Sequence, residues 1–312
     1  MKGTVLVTGA TGFVGRYLVR HLAGDGWRVI AAARGTDGIV AGPGVTALAL
    51  PDLGKRVHWS PLLAGVTHAV HLAGIAHAAR DIPEAQYMAV NAEAAGSLAA
   101  AARAKGLKRL VMMSSIRAAT GPVSAMPVRE SDAPVPTDAY GRSKLEGERR
   151  VREALAGSAT EFVILRPVLV YGPGVKGNMR LLMHLARSPW PMPFGSLRGR
   201  RSLLSLGNLA SAVSHALTEP RCAGETFLVA DKEPMMVAEI LRDLRCGLGR
   251  KPWVFTVPLA PAALLVNIAG RQQAWQRLTG DLVADTRALR ATGWVPPEAA
   301  RDALAAAIAT DG

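Results

Sequence analysis

The chain has 312 residues, and 49% of them are hydrophobic. This composition excludes an intrinsically disordered protein, and the length predicts one large domain with an appended lobe. The formal net charge of +13 would suit a nucleic acid, a phosphorylated small molecule or no particular partner. Because the basic residues are scattered and no aromatic stacking motif accompanies them, we predict no nucleic-acid partner.

Three features of the sequence bear on where in the cell the protein is expected: the start of the chain, the longest apolar stretch and the two cysteines. The first apolar run begins within a few residues of Met1, so we expect no targeting segment and a cytoplasmic protein. Val254–Gly270 contains two prolines and Asn267, so it predicts a helix of the substrate lobe and no membrane span, with a peripheral membrane contact left open. Cys222 and Cys246 lack metal-ligand spacing, which predicts free thiols and no metal site.

Strand-like and helix-like runs alternate through the first half of the chain. The predicted strands are Thr4–Val7, Arg28–Ala33, Val45–Leu50, Ala69–Leu72, Leu110–Met113 and Phe162–Leu165. The longest predicted helices are Pro83–Lys105 and Ala139–Leu155. This alternation predicts an α/β fold, a Rossmann-type doubly wound parallel sheet with a smaller C-terminal lobe.

The pattern changes beyond Pro167. Proline and glycine become dense, which predicts that loops dominate there. Phe227–Val229 predicts one more strand returning to the sheet, and the remainder from about Pro234 is mostly helical. We therefore predict a dinucleotide-binding domain over 1–167, with a returning strand near 225–230, and a mainly substrate-binding lobe over 168–312.

A glycine-rich turn follows the first predicted strand. Residues 8–15 are Thr-Gly-Ala-Thr-Gly-Phe-Val-Gly, and they lead into a helical pattern. Glycines there permit a tight turn and let a pyrophosphate approach the backbone, while the helix offers free N–H groups to the phosphates. Strand, glycine turn and helix together predict a dinucleotide site.

A second constellation predicts acid–base chemistry. Tyr140 and Lys144 lie four residues apart and therefore one turn apart on one helix face. A nearby lysine cation lowers the pKa of a tyrosine, which then exchanges a proton with a carbonyl or alcohol oxygen. Ser115 follows the fifth predicted strand and would steady the developing oxyanion.

In this order the motifs resemble the extended short-chain dehydrogenase/reductases of the nucleotide-sugar epimerase/dehydratase type. The glycine turn is similar to their TGxxGxxG, and Ser115, Tyr140 and Lys144 match their catalytic trio. Further similar segments are His71-Leu72-Ala73-Gly74, Asn91, Arg166-Pro167, Tyr171-Gly172-Pro173-Gly174, Ala284-Asp285 and Gly293-Trp294. The likeness covers nearly the whole chain.

The resemblance implies a role for each matching residue. Tyr140 would be the general acid/base, Lys144 would depress its pKa and hold the nicotinamide ribose, and Ser115 would bind the reacting oxygen. With Arg34, the expected cofactor-binding residues are Gly9, Thr11, Gly12, Phe13, Val14, Gly15, Asp52, Leu53, Leu72, Ala73, Gly74, Asn91, Met113, Tyr140, Lys144 and Pro167. The expected substrate-binding residues are Ser115, Tyr140, Lys176, Asn178 and Arg201, the last of which could also be a surface arginine.

Two departures from the family pattern narrow the expected reaction. Ala33 stands at the end of strand two, where NAD-preferring sites carry an acid, and Arg34 follows it. An arginine suits a 2′-phosphate, so we expect NADP(H), with NAD possible if Arg34 only stacks on adenine. Ile116 and Arg117 replace the Asp-Glu pair of the 4,6-dehydratases, so dehydration lacks its acid and base.

Reduction and epimerisation then remain. We expect reduction at C4 of a UDP-linked 4-keto-hexose, because of the dinucleotide preference and because Ser114–Arg117 and Tyr171–Asn178 resemble reductases of UDP-6-deoxy-HexNAc sugars such as UDP-QuiNAc. The alternatives are a UDP-sugar 4-epimerase with tightly bound NAD, a reductase of a non-sugar ketone and a non-catalytic NADP-binding sensor. The resemblance also implies a homodimer.

Overall fold

Parallel strand pairing organises the structure, a computed structural model that describes residues 2–76, 82–258 and 272–310. The strands are β1 (Thr4–Thr8), β2 (Arg28–Ala33), β3 (Val45–Ala49), β4 (His68–His71), β5 (Arg109–Met113), β6 (Glu161–Pro167), β7 (Leu169–Tyr171), β8 (Arg200–Arg201), β9 (Leu203–Ser205), β10 (Thr226–Val229) and β11 (Met235–Met236). Among these, seven form one parallel sheet in the order β10-β6-β5-β4-β1-β2-β3. The predicted α/β fold, the six strands and the returning strand are confirmed.

Helices cover both faces of the sheet and build the C-terminal part. They are α1 (Phe13–Gly24), α2 (Trp59–Leu62), α3 (Glu84–Tyr87), α4 (Ala94–Lys105), α5 (Ala139–Leu155), α6 (Gly177–Ala186), α7 (Leu206–Thr218), α8 (Val237–Gly247), α9 (Gln272–Thr279), α10 (Arg287–Ala291) and α11 (Ala300–Thr310). Short 3₁₀ turns cover Ile116–Ala118 and Pro220–Cys222. The prediction for Ala139–Leu155 is confirmed, and the predicted Pro83–Lys105 helix is α3, a π-helical segment (Met88–Glu93) and α4 in succession.

The prediction that loops dominate after Pro167 is wrong. Both α6 and α7 lie in that region. Leu209 and Val213 of α7 are buried in the same core cluster as Leu18 of α1, on one face of the sheet. The dense prolines and glycines mark turns between these helices, and tertiary packing of the apolar faces stabilises the helices themselves.

The strand order reverses between β1 and β4. β1 pairs in parallel with β2 on one side and with β4 on the other, so the chain leaves the carboxyl ends of β1 and β4 in opposite directions. Ligands of open parallel sheets bind in the crevice at such a point. The fold therefore brings the loop after Thr8 and the loop after His71 to one crevice.

Three apolar clusters fill the interior. Two lie against the sheet, and the third joins β7, α6, α8 and α11 in the C-terminal part, where Tyr171, Met183, Leu241 and Ile308 are buried together. The prediction for Val254–Gly270 falls largely outside the described residues. No helix within the described part of the chain is long and apolar enough to span a membrane.

A buried ion pair attaches α5 to the sheet. Glu148 is fully buried and accepts two hydrogen bonds from Arg166 of β6, at 2.8 and 2.7 Å. Its Oε1 also accepts a 2.5 Å hydrogen bond from Ser114, which follows β5 directly. Since removing one partner of a buried pair leaves an uncompensated charge, this contact strongly disfavours other placements of α5.

Glu148→Ala is expected to lower the free energy of unfolding by about 3–5 kcal/mol, because the Arg166 guanidinium would stay buried without its carboxylate. Chemical denaturation measures this change. Glu153→Ala on the same helix is the matched control, since Glu153 pairs with Arg149 in solvent. Equal effects of the two substitutions would contradict a special role for Glu148.

Candidate active site

The loop after β1 packs directly against the end of β4. Gly9 has a φ of +74°, and a Cβ added there would lie 2.9 Å from the backbone nitrogen of Ala73. Glycine alone accommodates both that backbone angle and so close an approach. The first turn of α1 begins at Phe13 after Gly12, so its free N–H groups lie at the end of the same loop. Loop and helix together have the geometry of a phosphate cradle.

Thr8 joins the two strand ends at the crevice. Its Oγ1 accepts a hydrogen bond from the backbone nitrogen of Ala73 at 3.2 Å and lies 2.8 Å from Nδ1 of His71. Burial, and to a smaller extent the charge of Lys144, lower the pKa of His71 to about 3. The imidazole is therefore neutral, so the Thr8 hydroxyl can donate to its Nδ1.

Asn91, in the π-helical segment, fixes the chain after β4. Its Oδ1 accepts from the backbone nitrogen of Ile75 at 2.8 Å, and its Nδ2 donates to Ser143 Oγ at 3.0 Å. A Cβ on Gly74 would lie 2.6 Å from Asn91 Oδ1 and 3.2 Å from Lys144 Nζ. The loop after β4, the π-helical segment and α5 thus meet at Gly74, where only hydrogen fits.

The structure brings Ser115, Tyr140 and Lys144 to the same edge of the sheet. Ser115 lies two residues beyond β5, and Tyr140 and Lys144 lie in the first two turns of α5. A hydrogen bond joins Ser115 to Tyr140. Lys144 is 6% exposed, and its Nζ donates to the backbone oxygen of Met113 at 3.1 Å. Helix and strand end therefore place the hydroxyl, the phenol and the amine on neighbouring positions.

The pKa of Tyr140 is raised above its ordinary value, chiefly by burial. The hydrogen bond from Ser115 and the charge of Arg117 act in the opposite direction, while Asp138 adds to the rise. The sequence assigned the lowering effect to Lys144. In the structure Ser115 and Arg117 lower this pKa and the Lys144 amine donates to the backbone of β5, so the effect of Lys144 on Tyr140 stays a prediction.

Arg117 and Asp138 form a clamp that sequence reasoning missed. Asp138 caps α5 by accepting from the backbone nitrogen of Gly141 at 2.7 Å, and its other oxygen accepts from Arg117 at 2.6 Å. The backbone nitrogen of Arg117 also donates to Ser115 Oγ at 3.2 Å. The clamp thus holds the serine segment against the start of the tyrosine helix. The available signal was an aspartate two residues before Tyr140, a typical helix N-cap.

The remaining predicted residues lie around this centre. Arg34 and Asp52 are exposed where the chain leaves β2 and β3, and Leu53 is buried. Lys176 and Asn178 are exposed at the start of α6. The other predicted cofactor residues lie in the loop after β1, in the first turn of α1, or at the ends of β4 and β6: Thr11, Val14, Gly15, Leu72 and Pro167.

Arg201 is half-buried and is hydrogen-bonded to a distant loop. Its Nη1 donates to the backbone oxygen of Pro122 at 2.7 Å, and the strand that carries it pairs with β11. Pro122 follows the segment that contains Ser115 and Arg117 along the chain. Arg201 therefore connects the C-terminal part to the loop beyond the candidate centre.

The family model described as NAD dependent epimerase/dehydratase matches residues 5–230. The chain belongs to this family and is an enzyme of the extended short-chain dehydrogenase/reductase type.

Individual relatives have different activities. The UDP-glucose 4-epimerase of Vibrio cholerae is 34% identical over 96% of this chain and 92% of its own. The ceramide reductase of Caulobacter vibrioides is 29% identical over 96% of this chain and 87% of its own. The structure of MoeE5 in complex with UDP-glucuronic acid and NAD is 23% identical, with a TM-score of 0.78 over 99% of this chain and 98% of that one. This likeness confirms the fold.

Lys144→Met is expected to raise the free energy of unfolding at neutral pH by about 3 kcal/mol, because burial lowers the pKa of this lysine to about 8 from an ordinary 10.5. Between these two pKa values the lysine is protonated in the unfolded chain and mostly neutral in the folded protein. The free energy of unfolding of the wild type therefore rises with pH over this range. The advantage of the variant should therefore shrink between pH 8 and 10.5. Urea denaturation at several pH values measures it.

The control for this prediction is Lys55→Met, which changes an exposed lysine. It should leave both the stability and its pH dependence nearly unchanged. A stability difference for Lys144→Met that stays constant from neutral to alkaline pH would show that packing, and not the buried charge, is responsible.

Proposed function

We propose that this enzyme reduces the C4 carbonyl of a UDP-linked 4-keto-hexose, with NADP(H) as the preferred dinucleotide and NAD as a possible one. The observation that carries the proposal is the hydrogen-bonded pair of Ser115 and Tyr140 beside the crevice at the strand switch point. A hydroxyl and a phenol that converge there can bind one carbonyl oxygen between them.

The residues around the crevice fit a nicotinamide dinucleotide. Gly9 and Gly74 let the loops after β1 and β4 pack closely at the crevice, next to the N-terminus of α1 and to Lys144. The loop of residues 9–12 and the first turn of α1 would hold the pyrophosphate, and Lys144 would hold the nicotinamide ribose as the resemblance implies. The bound nicotinamide would supply the hydride.

Tyr140 is suited to give a proton. Because burial raises its pKa, the phenol is protonated at neutral pH, as a general acid in carbonyl reduction must be. Ser115 accepts its own hydrogen bond from the Arg117 backbone, which orients the hydroxyl before substrate binds. The developing oxyanion would therefore meet two donors that are already in place.

The substrate assignment rests on charge and on the relatives. Lys176, Asn178 and Arg201 supply cations and an amide on the C-terminal side, a set that suits a diphosphate. MoeE5 binds UDP-glucuronic acid, which supports a UDP-sugar for this chain. A homodimer in the cytoplasm remains a prediction.

The end of β2 supports NADP(H). Ala33 is buried and has no carboxylate to accept from a ribose 2′-hydroxyl, whereas Arg34 is exposed beside it and could pair with a 2′-phosphate. A reductase must exchange its dinucleotide in every turnover, and β2 ends in Ala33 without the acid that would favour permanently held NAD.

The second candidate is a UDP-sugar 4-epimerase, favoured by the 34% identity to the Vibrio cholerae enzyme. The Caulobacter vibrioides relative is a reductase, so relatives of both kinds are known. Denaturing the purified protein and identifying the released dinucleotide separates the two activities. Retained NAD would support the epimerase, whereas an empty or NADP(H)-exchanging site would support the reductase.

Tyr140→Phe is expected to lower kcat by about 10²–10⁴-fold and to leave the Kd of the dinucleotide nearly unchanged, because only the proton donor is lost. Stopped-flow reduction and fluorescence titration measure the two quantities. Tyr87→Phe is the matched control, since its ring contacts that of Tyr140 at 6.2 Å between centroids. Substantial turnover by Tyr140→Phe would refute the assignment.

Arg34→Ala is expected to raise KM for NADPH by at least about tenfold, the loss of one charge-assisted contact, and to leave KM for NADH unchanged. Initial rates with the two dinucleotides measure the ratio. Arg20→Ala, at an exposed position of α1, controls for the general loss of positive charge. If both dinucleotides lose affinity equally, Arg34 only stacks on adenine.

A further inference from the structure

Three aromatic side chains and a lysine form an exposed group in the C-terminal part, which we call the aromatic patch: Trp190, Lys251, Trp253 and Phe255. The exposed fractions of the three aromatic residues are 71%, 50% and 47%. Trp253 and Phe255 are separated by the half-buried Val254, so alternation places both rings on the outer side of an extended segment. Large apolar side chains grouped in this way mark an interaction surface.

The patch stands on a fixed backbone. The two segments that carry it pair through hydrogen bonds from Met192 N to Trp253 O at 2.8 Å and from Phe255 N to Met192 O at 2.9 Å. The buried guanidinium of Arg245 donates to the backbone oxygens of Trp190 and Lys251, at 3.3 and 2.7 Å. The backbone that carries the exposed rings is therefore hydrogen-bonded both between its two segments and to Arg245.

Two exposed cations, Arg250 and Lys251, lie just before Trp253 on one of the two segments that carry the patch. Lys251 lies over the Trp253 ring, with Nζ 5.2 Å from its centroid, and Arg250 is exposed beside it. The patch therefore presents indole rings together with two exposed cations.

We propose that the aromatic patch docks on the surface of an anionic lipid bilayer. Tryptophan is the side chain best suited to the boundary between headgroups and acyl chains, because its ring is apolar and its N–H is polar. Lysine and arginine next to the rings add attraction to anionic headgroups. The patch would hold the C-terminal part at a membrane surface without any segment crossing the bilayer.

Co-sedimentation of the full chain with vesicles tests the proposal. We expect binding to vesicles of equal parts phosphatidylglycerol and phosphatidylcholine, little binding to pure phosphatidylcholine, and weakening by salt. The triple variant W190A/W253A/F255A should lose at least about tenfold in binding. M126A/V295A is the matched control, because these residues are 71% and 74% exposed on other segments and should not matter.

A charge variant keeps the test independent of the aromatic substitutions. R250E/K251E retains every ring, changes only exposed side chains and should lose binding to the anionic vesicles. Absence of vesicle binding by the wild type would overturn the proposal, and so would binding of the triple variant and of R250E/K251E that is as strong as that of the wild type. A shift in oligomeric state of the triple variant in size-exclusion chromatography, without any vesicle effect, would show instead that a second copy covers the patch.

Discussion

The site depends on the buried carboxylate of Glu148. This one group accepts hydrogen bonds from Ser114, just beyond β5, and from Arg166 on β6, while its own helix carries Lys144 about one turn earlier and Tyr140 about two turns earlier. A buried carboxylate without these donors would be very costly, so the helix has one stable position on the sheet. The distance between hydroxyl and phenol follows from that position.

Other groups around the crevice are kept at a cost to stability. Lys144 is buried with a pKa lowered to about 8, His71 Nε2 is buried without a hydrogen-bond partner among the described residues, and the same holds for Nε and Nη1 of Arg117. Unpaired polar atoms of this kind are uncommon in folded proteins. These atoms belong to residues at or just beyond the ends of β4 and β5, at the edge of the sheet where Ser115 and Tyr140 lie.

Reductase and epimerase share everything that the centre of the site supplies. Both need an acid–base phenol, an oxyanion donor and a nicotinamide at C4 of a sugar. They differ in whether the dinucleotide leaves in each turnover, and our proposal of a reductase rests on Ala33, which ends β2, and on Arg34, which follows it. The exposed aromatic rings of the C-terminal part bear on a different property. The membrane contact that we propose for them would determine where the enzyme works and would leave its reaction unchanged.

The sequence by itself determined the parallel sheet, α5, the glycine turn and the trio of Ser115, Tyr140 and Lys144, because periodicity and motif spacing are local properties of the chain. It did not predict α6 and α7, whose stability comes from packing partners distant in sequence. Only the tertiary structure showed that Arg117 and Asp138 lie beside Tyr140 and shift its pKa in opposite directions. The physical reason is that a pKa depends on burial and on neighbours in space, which spacing along a helix does not give.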